Sequence, residues 1–424
     1  MNNHYELIVV GGGFAGVCAA ISAAKQGVNT LLIEKYNCLG GAAANALVAP
    51  FMRYWSHKKE SGERIYLCGG LFMEIMEEAA KLNTHKEFTF DSVGWFDEEI
   101  MKIVLNRMAL KYGVKLLFNT VVTEASTDGR NLRSIKAFGK SMPLEFTADY
   151  FIDATGDAEL SMLSGCEFKL GRDKDNLCQP MTLCFRMGNV DEKKFHEVHT
   201  QIKYIYREEK AKGNIKNPRD SVLVFENFNE GVLHFNSTRI IKLNPTDPFD
   251  VTEAEIEARE QVFELYDFLK NHVPGFENCR ILSTALQIGI RESRKIVGEY
   301  TLTEEDLLSF ARFPDAIAAS NYEIDIHNPE GSGTRMVFFK DEEWYEIPYR
   351  CLIPRSKDNL LVVGRCISST HEAQSSYRIM PFCAEIGQAA GCAIGLLSKD
   401  KKADVRDVDI KALQEILRNE GFVI

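Results

Sequence analysis

Three glycines near the start of the chain, Gly11-x-Gly13-x-x-Gly16, have the spacing that most narrowly specifies a chemistry. Gly11 allows a tight turn, Gly13 lets bare backbone approach a pyrophosphate, and Gly16 lets a helix pack closely on a strand. Phe14 and Ala15 lie within that loop, and the helix after it has free N–H groups and a positive dipole end that suit phosphate. Glu34 ends the next apolar run, where a carboxylate accepts hydrogen bonds from ribose hydroxyls, and Lys35 stands beside it. A second bare turn follows at Gly40-Gly41. A nicotinamide dinucleotide does not need it. A flavin dinucleotide, which extends further past its pyrophosphate, benefits from it, although an ordinary turn has the same sequence.

Other groups suit acid–base or binding work. Arg291, Glu292 and Arg294 stand together before Ile296-Val297-Gly298. Arginine there suits carboxylate binding, stabilisation of a reduced anionic ring, or proton delivery, and an interdomain ion-pair cluster would have the same composition. Asp325-Ile326-His327 puts two polar side chains on one face if extended, so an Asp-held His327 could serve as a general base. A hydrogen-bonded structural histidine fits the same spacing. Tyr377 and Arg378 lie just before Met380-Pro381, and Gln179 and Thr182 are weaker candidates. Cys366 and Cys383 are the two thiols with a place near a redox centre, and inert burial is the plainer reading of both. No His/Cys spacing reads as a metal site.

These residues need particular elements around them. Tyr5–Val10 reads as a buried strand, Val17–Lys25 as a helix closed by Gly27, and Leu31–Ile33 as a second strand. Leu71–Leu82 is expected to be a short amphipathic helix and Asp97–Tyr112 a longer one stopped by Gly113. Val114–Phe118, Val121–Ala125 and Leu132–Phe138 read as strands, with Asp128-Gly129 as a hairpin turn. Phe151-Ile152-Asp153 ends in a bare Ala154-Thr155-Gly156, and Leu360–Val363 ends at Gly364-Arg365. Both suit strands whose carboxyl ends meet a ligand. Pro381 opens a small-residue helix to Leu397, with Gly387, Gly391 and Gly395 spaced for close packing. Between these parts the reading is a strand at Thr182–Met187 and one amphipathic helix through Phe195, Val198, Ile202 and Ile205. A hairpin of Ser221–Phe225 with Val232–Asn236 follows, then a helix capped by Thr252-x-x-Glu255. Val408–Asn419 closes the chain as a surface-packed helix.

The 424 residues predict two or three domains. The balance of 50 Lys+Arg against 61 Asp+Glu, a net charge of −11, argues against a nucleic-acid or anionic-membrane binder. Eleven scattered cysteines suggest a reducing compartment rather than a disulfide framework. Leu7 to Ala24 carries no charge, but no basic residue precedes it and four glycines interrupt it, so a soluble cytoplasmic protein is expected.

The run from Ile8 to Ala42 resembles the FAD-binding opening of the glutathione-reductase-like flavoproteins. Phe151–Asp157 resembles that superfamily's strand with an Ala-Thr-Gly end, and Leu360–Arg365 its last FAD strand. Together with Arg291–Arg294 and Tyr377–Pro381, these segments resemble the bacterial FAD-dependent oxidoreductases, distantly similar to heterodisulfide and fumarate reductase flavoproteins. The resemblance implies an α/β fold: a Rossmann-like FAD-binding domain of glutathione-reductase type with an inserted α+β substrate domain. The FAD-binding parts would be residues 1–165, with an excursion over 51–96, and 341–424; the substrate or cap domain would be 166–340. FAD is the implied cofactor. Its implied contacts are Gly11, Gly13, Phe14, Ala15, Gly16, Glu34, Lys35, Gly40, Gly41, Val122, Ala154, Thr155, Gly156, Gly364, Arg365 and Met380. Many relatives carry Gly-Asp where this chain has Gly364-Arg365, so the acidic ribityl contact does not carry over directly, and a cationic contact to phosphate is the alternative. The implied activity is hydride transfer between a small-molecule substrate and flavin N5, with Arg291, Arg294, His327 and Arg378 as catalytic candidates. No second glycine fingerprint follows a strand, so electrons would come from the substrate, a transiently bound NAD(P)H or an electron-transfer protein. A thiol–disulfide reductase and an FAD-binding tRNA-modifying or scaffold protein are the alternatives.

Overall fold

The computed structural model describes residues 3–82 and 94–424. Its centre is built by the opening segment. The strand β1 (His4–Val10) is almost wholly buried, the glycine turn follows, and α1 (Phe14–Lys25) carries the chain back. The strand β2 (Thr30–Ile33) then pairs parallel with β1, Leu7 opposite Thr30 and Val10 opposite Ile33. Four apolar residues in a row suit a strand covered on both faces.

Outside this unit, α2 (Gly70–Leu82) and α3 (Glu98–Lys111) pack on α1. The Asp97 side chain caps α3 by accepting from the N–H groups of Glu99 and Ile100. Part of the expected 51–96 excursion, residues 83–93, lies outside the described residues.

The strands β3 (Lys115–Leu117), β4 (Thr120–Asp128), β5 (Asn131–Gly139), β6 (Met142–Asp153) and β7 (Leu360–Val362) complete a seven-stranded sheet. Its order is β3-β2-β1-β6-β5-β4, with β7 joined to β6. Two kinds of pairing meet along β6. Its first half pairs antiparallel with β5, whereas Phe151–Asp153 pair parallel with β7 on the same side. The other side pairs parallel with β1 from Thr147 to Asp153. The carboxyl ends of β1, β6 and β7 therefore lie side by side, bringing Gly11, Ala154 and Gly364 to one edge.

A separate buried cluster belongs to the insert. The strands Val224–Glu226, Leu233–Phe235, Phe185–Gly188 and Arg280–Thr284 form an antiparallel sheet in that order. The helix α4 (Pro248–His272) packs Ala258, Val262, Leu265 and Leu269 into the same cluster. Its own chain residues run from Met181 to Ile288, with Leu47 added from the glycine-turn side. Residues beyond it, including Leu302, Ile317, Tyr322 and Ile324, pack instead in the main core with α1.

Three local expectations need correction. The helix α4 starts at Pro248, not at Thr252. Asp247 caps it by accepting from Phe249 and Asp250, and proline at the first helical position fixes that start. Thr252 Oγ1 donates to the Pro248 carbonyl, while Glu255 accepts from the Ile288 N–H. A true capping box sits at Thr303 and Asp306. The helix through Phe195 and Ile205 is two helices, Glu192–Val198 and Ile202–Ala211. Finally, the strand expected at Thr182–Met187 starts at Phe185; Thr182 makes an isolated bridge to Gly289 instead.

The helices α5 (His371–Tyr377) and α6 (Met380–Asp400) follow the last sheet strand. Among the described residues, α6 alone is long and apolar enough to cross a membrane, and 89% of the residues in that window are buried inside the molecule.

Candidate cofactor and substrate site

Glycine spacing determines how α6 meets α1. A Cβ at Gly387 would lie 2.0 Å from the Ala15 carbonyl oxygen, one at Gly391 2.2 Å from that of Ala19, and one at Gly395 2.4 Å from Gln26 Cδ. Contacts climb both helices together, so α1 and α6 run parallel with their N-termini at one end. Neither start has a side-chain cap. Two sets of unpaired N–H groups, and two positive dipole ends, thus open in the same region.

The glycine loops are shaped for a ligand's approach. Gly11 has φ +105°, and a Cβ there would fall 2.4 Å from the Ala154 oxygen. A Cβ on Gly16 would fall 1.9 Å from the Gly11 oxygen. Gly13 differs: a Cβ there would meet only Gly41 Cα, at 3.9 Å. The first turn is therefore closed underneath by Gly11 and Gly16 and open above Gly13, where Gly41 forms the facing wall. Phe14 is buried against Phe51, and Ala15 lies under both Gly387 and Gly364. Gly40 donates its N–H to the Gly12 carbonyl and ties the two turns together.

Glu34 is buried, and its carboxylate accepts from the Gly12 N–H at 2.5 Å and the Tyr36 N–H at 2.9 Å. It lies at the mouth of the first turn, as a ribose contact requires. Lys35 points to Glu159 at 3.1 Å; burial works against its charge, but Glu159 prevails and lifts its pKa to about 12. Val122 sits half-buried in β4, opposite Ala137. Backbone bonds from Glu34 to Leu117 and from Thr120 to Glu34 hold the start of that strand beside the carboxylate.

At the end of β6, the N–H and hydroxyl of Thr155 both donate to Asp153. Gly156 has φ +80°, and a Cβ there would strike Arg365 Nη2 at 2.6 Å. Arg365 thus lies across the bare backbone of Gly156, paired with Asp157 at 3.2 Å. Its Nη1 is buried with no hydrogen-bond partner. An uncapped helix start, an open glycine wall and a half-satisfied guanidinium are all what a dinucleotide's phosphates would complete. The residues present fit FAD.

A second group of side chains gathers beside α6. Arg378 donates to Asp325 Oδ2 at 3.1 Å, and Asp325 also meets His327 Nε2 at 3.3 Å. His327 Nδ1 lies 2.9 Å from Arg239 Nη2, which can only donate, so Nδ1 accepts and Nε2 carries the proton. Burial, reinforced by Arg291, lowers His327 to about 3 despite Asp325, so the imidazole is neutral. Burial opposes the Asp325 charge, but His327 and the arginines outweigh it and hold the carboxyl well below its usual range.

Arg291 Nη1 donates to the Pro180 carbonyl at 2.6 Å and to Thr182 Oγ1 at 2.5 Å. Gln374 of α5 reaches the Arg291 carbonyl, and Gly289, paired with Thr182, lies against Ala46 and Val48 after the second glycine turn. Arg291, His327 and Arg378 therefore share the junction between insert and sheet. Arg294 does not: it reaches the Asp157 carbonyl and the Phe168 ring on the other side.

Beneath them, buried Glu292 accepts from Lys295 at 2.5 Å and pairs with His371 at 2.7 Å, while its other partner is the Gln179 N–H. Burial opposes its charge, yet these partners prevail and its pKa is lowered. This group joins the entry to the insert, its exit and α5. Arg219, Arg239 and the pairing of Glu292 with His371 carry no local sequence signal. No spacing rule links residues so far apart.

All eleven cysteines are buried and unbridged. Burial raises Cys383 to about 12 and Cys366 far above its normal value, so neither is a thiolate, and the dithiol alternative has no geometric support. Among the described residues, no cluster of His, Cys, Asp and Glu could hold a metal.

A digeranylgeranylglycerophospholipid reductase of Methanocella arvoryzae is 30% identical over 183 residues, 41% of this chain and 42% of that protein. A glycine oxidase of Bacillus subtilis is 32% identical over 124 residues, 23% of this chain and 33% of that protein. A dihydrolipoyl dehydrogenase of Trypanosoma brucei brucei is 37% identical over 93 residues, 20% and 19% respectively. The matched segments span less than half the length of these relatives. A geranylgeranyl bacteriochlorophyll reductase-like structure from Thermoplasma acidophilum covers 99% of this chain and 84% of its own at 14% identity, with a TM-score of 0.47. The model of the family described as FAD dependent oxidoreductase matches residues 6–417, nearly the whole chain. The chain belongs to that family of FAD-dependent oxidoreductases.

Proposed function

We propose that this enzyme transfers a hydride between a small-molecule substrate and flavin N5, in the junction between insert and sheet. The observation that carries the proposal is the meeting of Arg378, Asp325 and His327 with the N-terminus of α6. Bound FAD supplies the two-electron chemistry. Gly11, Gly13, Phe14, Ala15 and Gly16 would hold its pyrophosphate, Glu34 its ribose, and Gly41, Gly364 and Arg365 the chain beyond. The uncapped start of α6, at Met380, favours negative charge beside it. Arg291 and Arg378 bind and orient the substrate. His327 can take a proton at Nδ1 only when Arg239 releases that atom.

The FAD-binding part is assigned to the glutathione-reductase type, at residues 1–165 and 341–424, with the insert at 166–340. The parallel sheet with its antiparallel extension β4-β5-β6, and a separate core from Met181 to Ile288, support an inserted domain, whereas Leu302, Ile317 and Ile324 pack in the main core and argue for an insert that ends before them. The enzyme is expected in the cytoplasm, with NAD(P)H or a partner protein as the second redox partner.

The test is anaerobic. The yellow holoenzyme is mixed with pools of candidate donors, NADH and NADPH included, and bleaching of the flavin is followed. Bleaching by a donor whose product returns in stoichiometric amount supports the proposal. A purified protein that binds FAD but is bleached by no donor, and once chemically reduced is reoxidised by no organic acceptor, overturns it.

A further inference from the structure

Three arginines near this junction have no carboxylate within ion-pair distance among the described residues. Arg219 Nη1 donates to the Asn236 carbonyl at 3.0 Å. Arg291 Nη2 approaches Asn236 Oδ1 at 3.4 Å, and its Nη1 serves Pro180 and Thr182. Arg239 Nη1 donates to the carbonyls of Gly331 and Gly333, and its Nη2 to His327. All these acceptors are neutral. Arg378 alone is paired, with Asp325, and its Nε is buried without a partner. Asp220, the other nearby acid, is turned to Lys210 at 3.5 Å and half exposed. Asn236 links Arg219 to Arg291, and His327 with Asp325 links Arg239 to Arg378, so the four guanidiniums form two bonded pairs close enough for Arg378, Arg219 and Arg239 to act on the charge of Arg291.

These two pairs have a surplus of positive charge in a protein whose net charge is −11. Arg239 is 4% exposed. Buried charge is tolerated when paired and is costly otherwise. Burial pulls Arg291 down to about 9, with Arg378 and Arg219 adding to it, and Arg239 down to about 10. A guanidinium does not give up its proton in this range, so the pull measures a demand for an anion, not a neutral arginine. FAD's own phosphates do not meet that demand: their cradle is at Gly13 and Arg365, whereas Arg219 and Arg239 belong to the insert.

We infer that the substrate of this enzyme bears an oxyanion, a carboxylate or phosphate, and that Arg219, Arg239 and Arg291 hold that group while Arg378 faces the reacting end. Planar guanidinium forks match the paired oxygens of such a group. This inference rests on the hydride-transfer reading for the word substrate, but its test does not require turnover.

Oxidised holoenzyme is titrated at constant ionic strength with acetate, malonate and inorganic phosphate, and with malonamide as the neutral control. Binding is read from perturbation of the visible flavin spectrum and from the thermal midpoint. The expected result is saturable binding of at least one anion, none of malonamide, and a loss of about tenfold or more in affinity in both Arg239→Gln and Arg219→Gln. Malonate or acetate preferred over phosphate identifies a carboxylate; the reverse identifies a phosphate ester. If no anion binds saturably to the wild-type protein, the inference is overturned, even if a variant fails to fold. Equal affinity in wild type and two folded variants overturns it as well. Bleaching by a neutral donor with no anion binding would leave the hydride-transfer reading intact and remove only this one.

Discussion

The glycine cradle and the arginine cluster meet at the same junction but are built on opposite principles. The cradle is made of backbone. Its shape comes from absent side chains, at Gly11, Gly16, Gly41 and Gly387, and its binding groups are N–H groups at two helix starts. It is contributed mostly by short, consecutive runs. The cluster is made of side chains. Arg219, Arg239, Arg291, Asp325, His327 and Arg378 come from segments scattered over 160 positions of the chain and are joined only by folding. The cradle needs a ligand to complete its geometry, whereas the cluster needs one to balance its charge. A site of the first kind tolerates change in side-chain chemistry but not in volume, and a site of the second kind the reverse.

The largest effect tests the volume rule. Gly16→Val would drive a branched side chain into the Gly11 carbonyl, already 1.9 Å from where a Cβ would sit. Both partners are main chain in the central sheet turn, so relief requires α1 to lift. The purified variant is expected to be colourless and to lose several kcal/mol of stability, as overpacking at a rigid contact does. A yellow Gly16→Val protein with an unchanged thermal midpoint would break the description of the cradle.

Next comes the charge rule. Arg291→Ala should leave the flavin spectrum intact, since the residue does not touch the cradle, and lower turnover by about 100-fold or more. Turnover within a factor of two of wild type would remove Arg291 from the substrate site. Arg291→Lys separates charge from fork geometry: partial recovery points to charge, none to bidentate binding.

The cluster should also respond to pH where the cradle does not. His327 is held near 3 in the folded protein, chiefly by burial, against 6.5 as the ordinary value. Below about pH 6.5 the unfolded chain takes up a proton that the folded chain refuses, so stability falls as pH drops toward 3. Buried His234, lowered to about 4 by burial and then by Arg186, adds a slope of the same sign. Thermal midpoints between about pH 5 and 7 should therefore rise with pH, and His327→Gln should flatten part of that rise. An identical slope in His327→Gln would mean that His327 is not held neutral in the folded protein.

The same contrast explains what the sequence could convey. The βαβ opening, the Ala154-Thr155-Gly156 strand end and the small-residue helix at Pro381 were legible because each is a local pattern imposed by backbone geometry. The insert was legible only in part. The Thr252–Glu255 pattern matches a capping box, but Asp247 with Pro248 starts the helix earlier, because an aspartate cap and a first-turn proline act together. Arg291 and Arg378 were readable as candidates only from the residues beside them and His327 from its alternation with Asp325, and Arg294 was grouped with Arg291 on sequence adjacency alone. Arg291 lies in the irregular segment before the strand Arg294–Ile296, and Arg294 turns to Asp157. Arg219 and Arg239 had no local signal, since their function comes from charge unmet across long separations.

A smaller effect is expected at Glu34. Its carboxylate already accepts from Gly12 and Tyr36, so Glu34→Ala removes a brace of the first turn as well as the proposed ribose contact. Loss of charged hydrogen bonds of this kind costs about 1.5–3 kcal/mol, or roughly 10- to 100-fold in FAD affinity. Fluorescence titration of the deflavinated protein measures it. Undiminished affinity would show that the backbone alone retains the cofactor.

The smallest effect concerns the thiols, the one feature near both regions that belongs to neither. Cys366 Sγ donates to the Val363 carbonyl and Cys383 Sγ to that of Arg378, so both thiols are used as weak local donors. Both are fully enclosed, and burial keeps them protonated, where they neither attack a disulfide nor bind metal. Serine preserves the donor and is only slightly smaller. Cys366→Ser and Cys383→Ser, singly and together, should therefore change turnover by less than about twofold and stability by about 1 kcal/mol or less. The two single variants also distinguish the regions, because Cys366 follows the Gly364-Arg365 turn of the cradle and Cys383 lies on the first turns of α6, beside Arg378. A drop of a hundredfold in either one, with FAD still bound, would mean that a thiol carries electrons. The arginine cluster would then be positioning a disulfide rather than a hydride donor or acceptor.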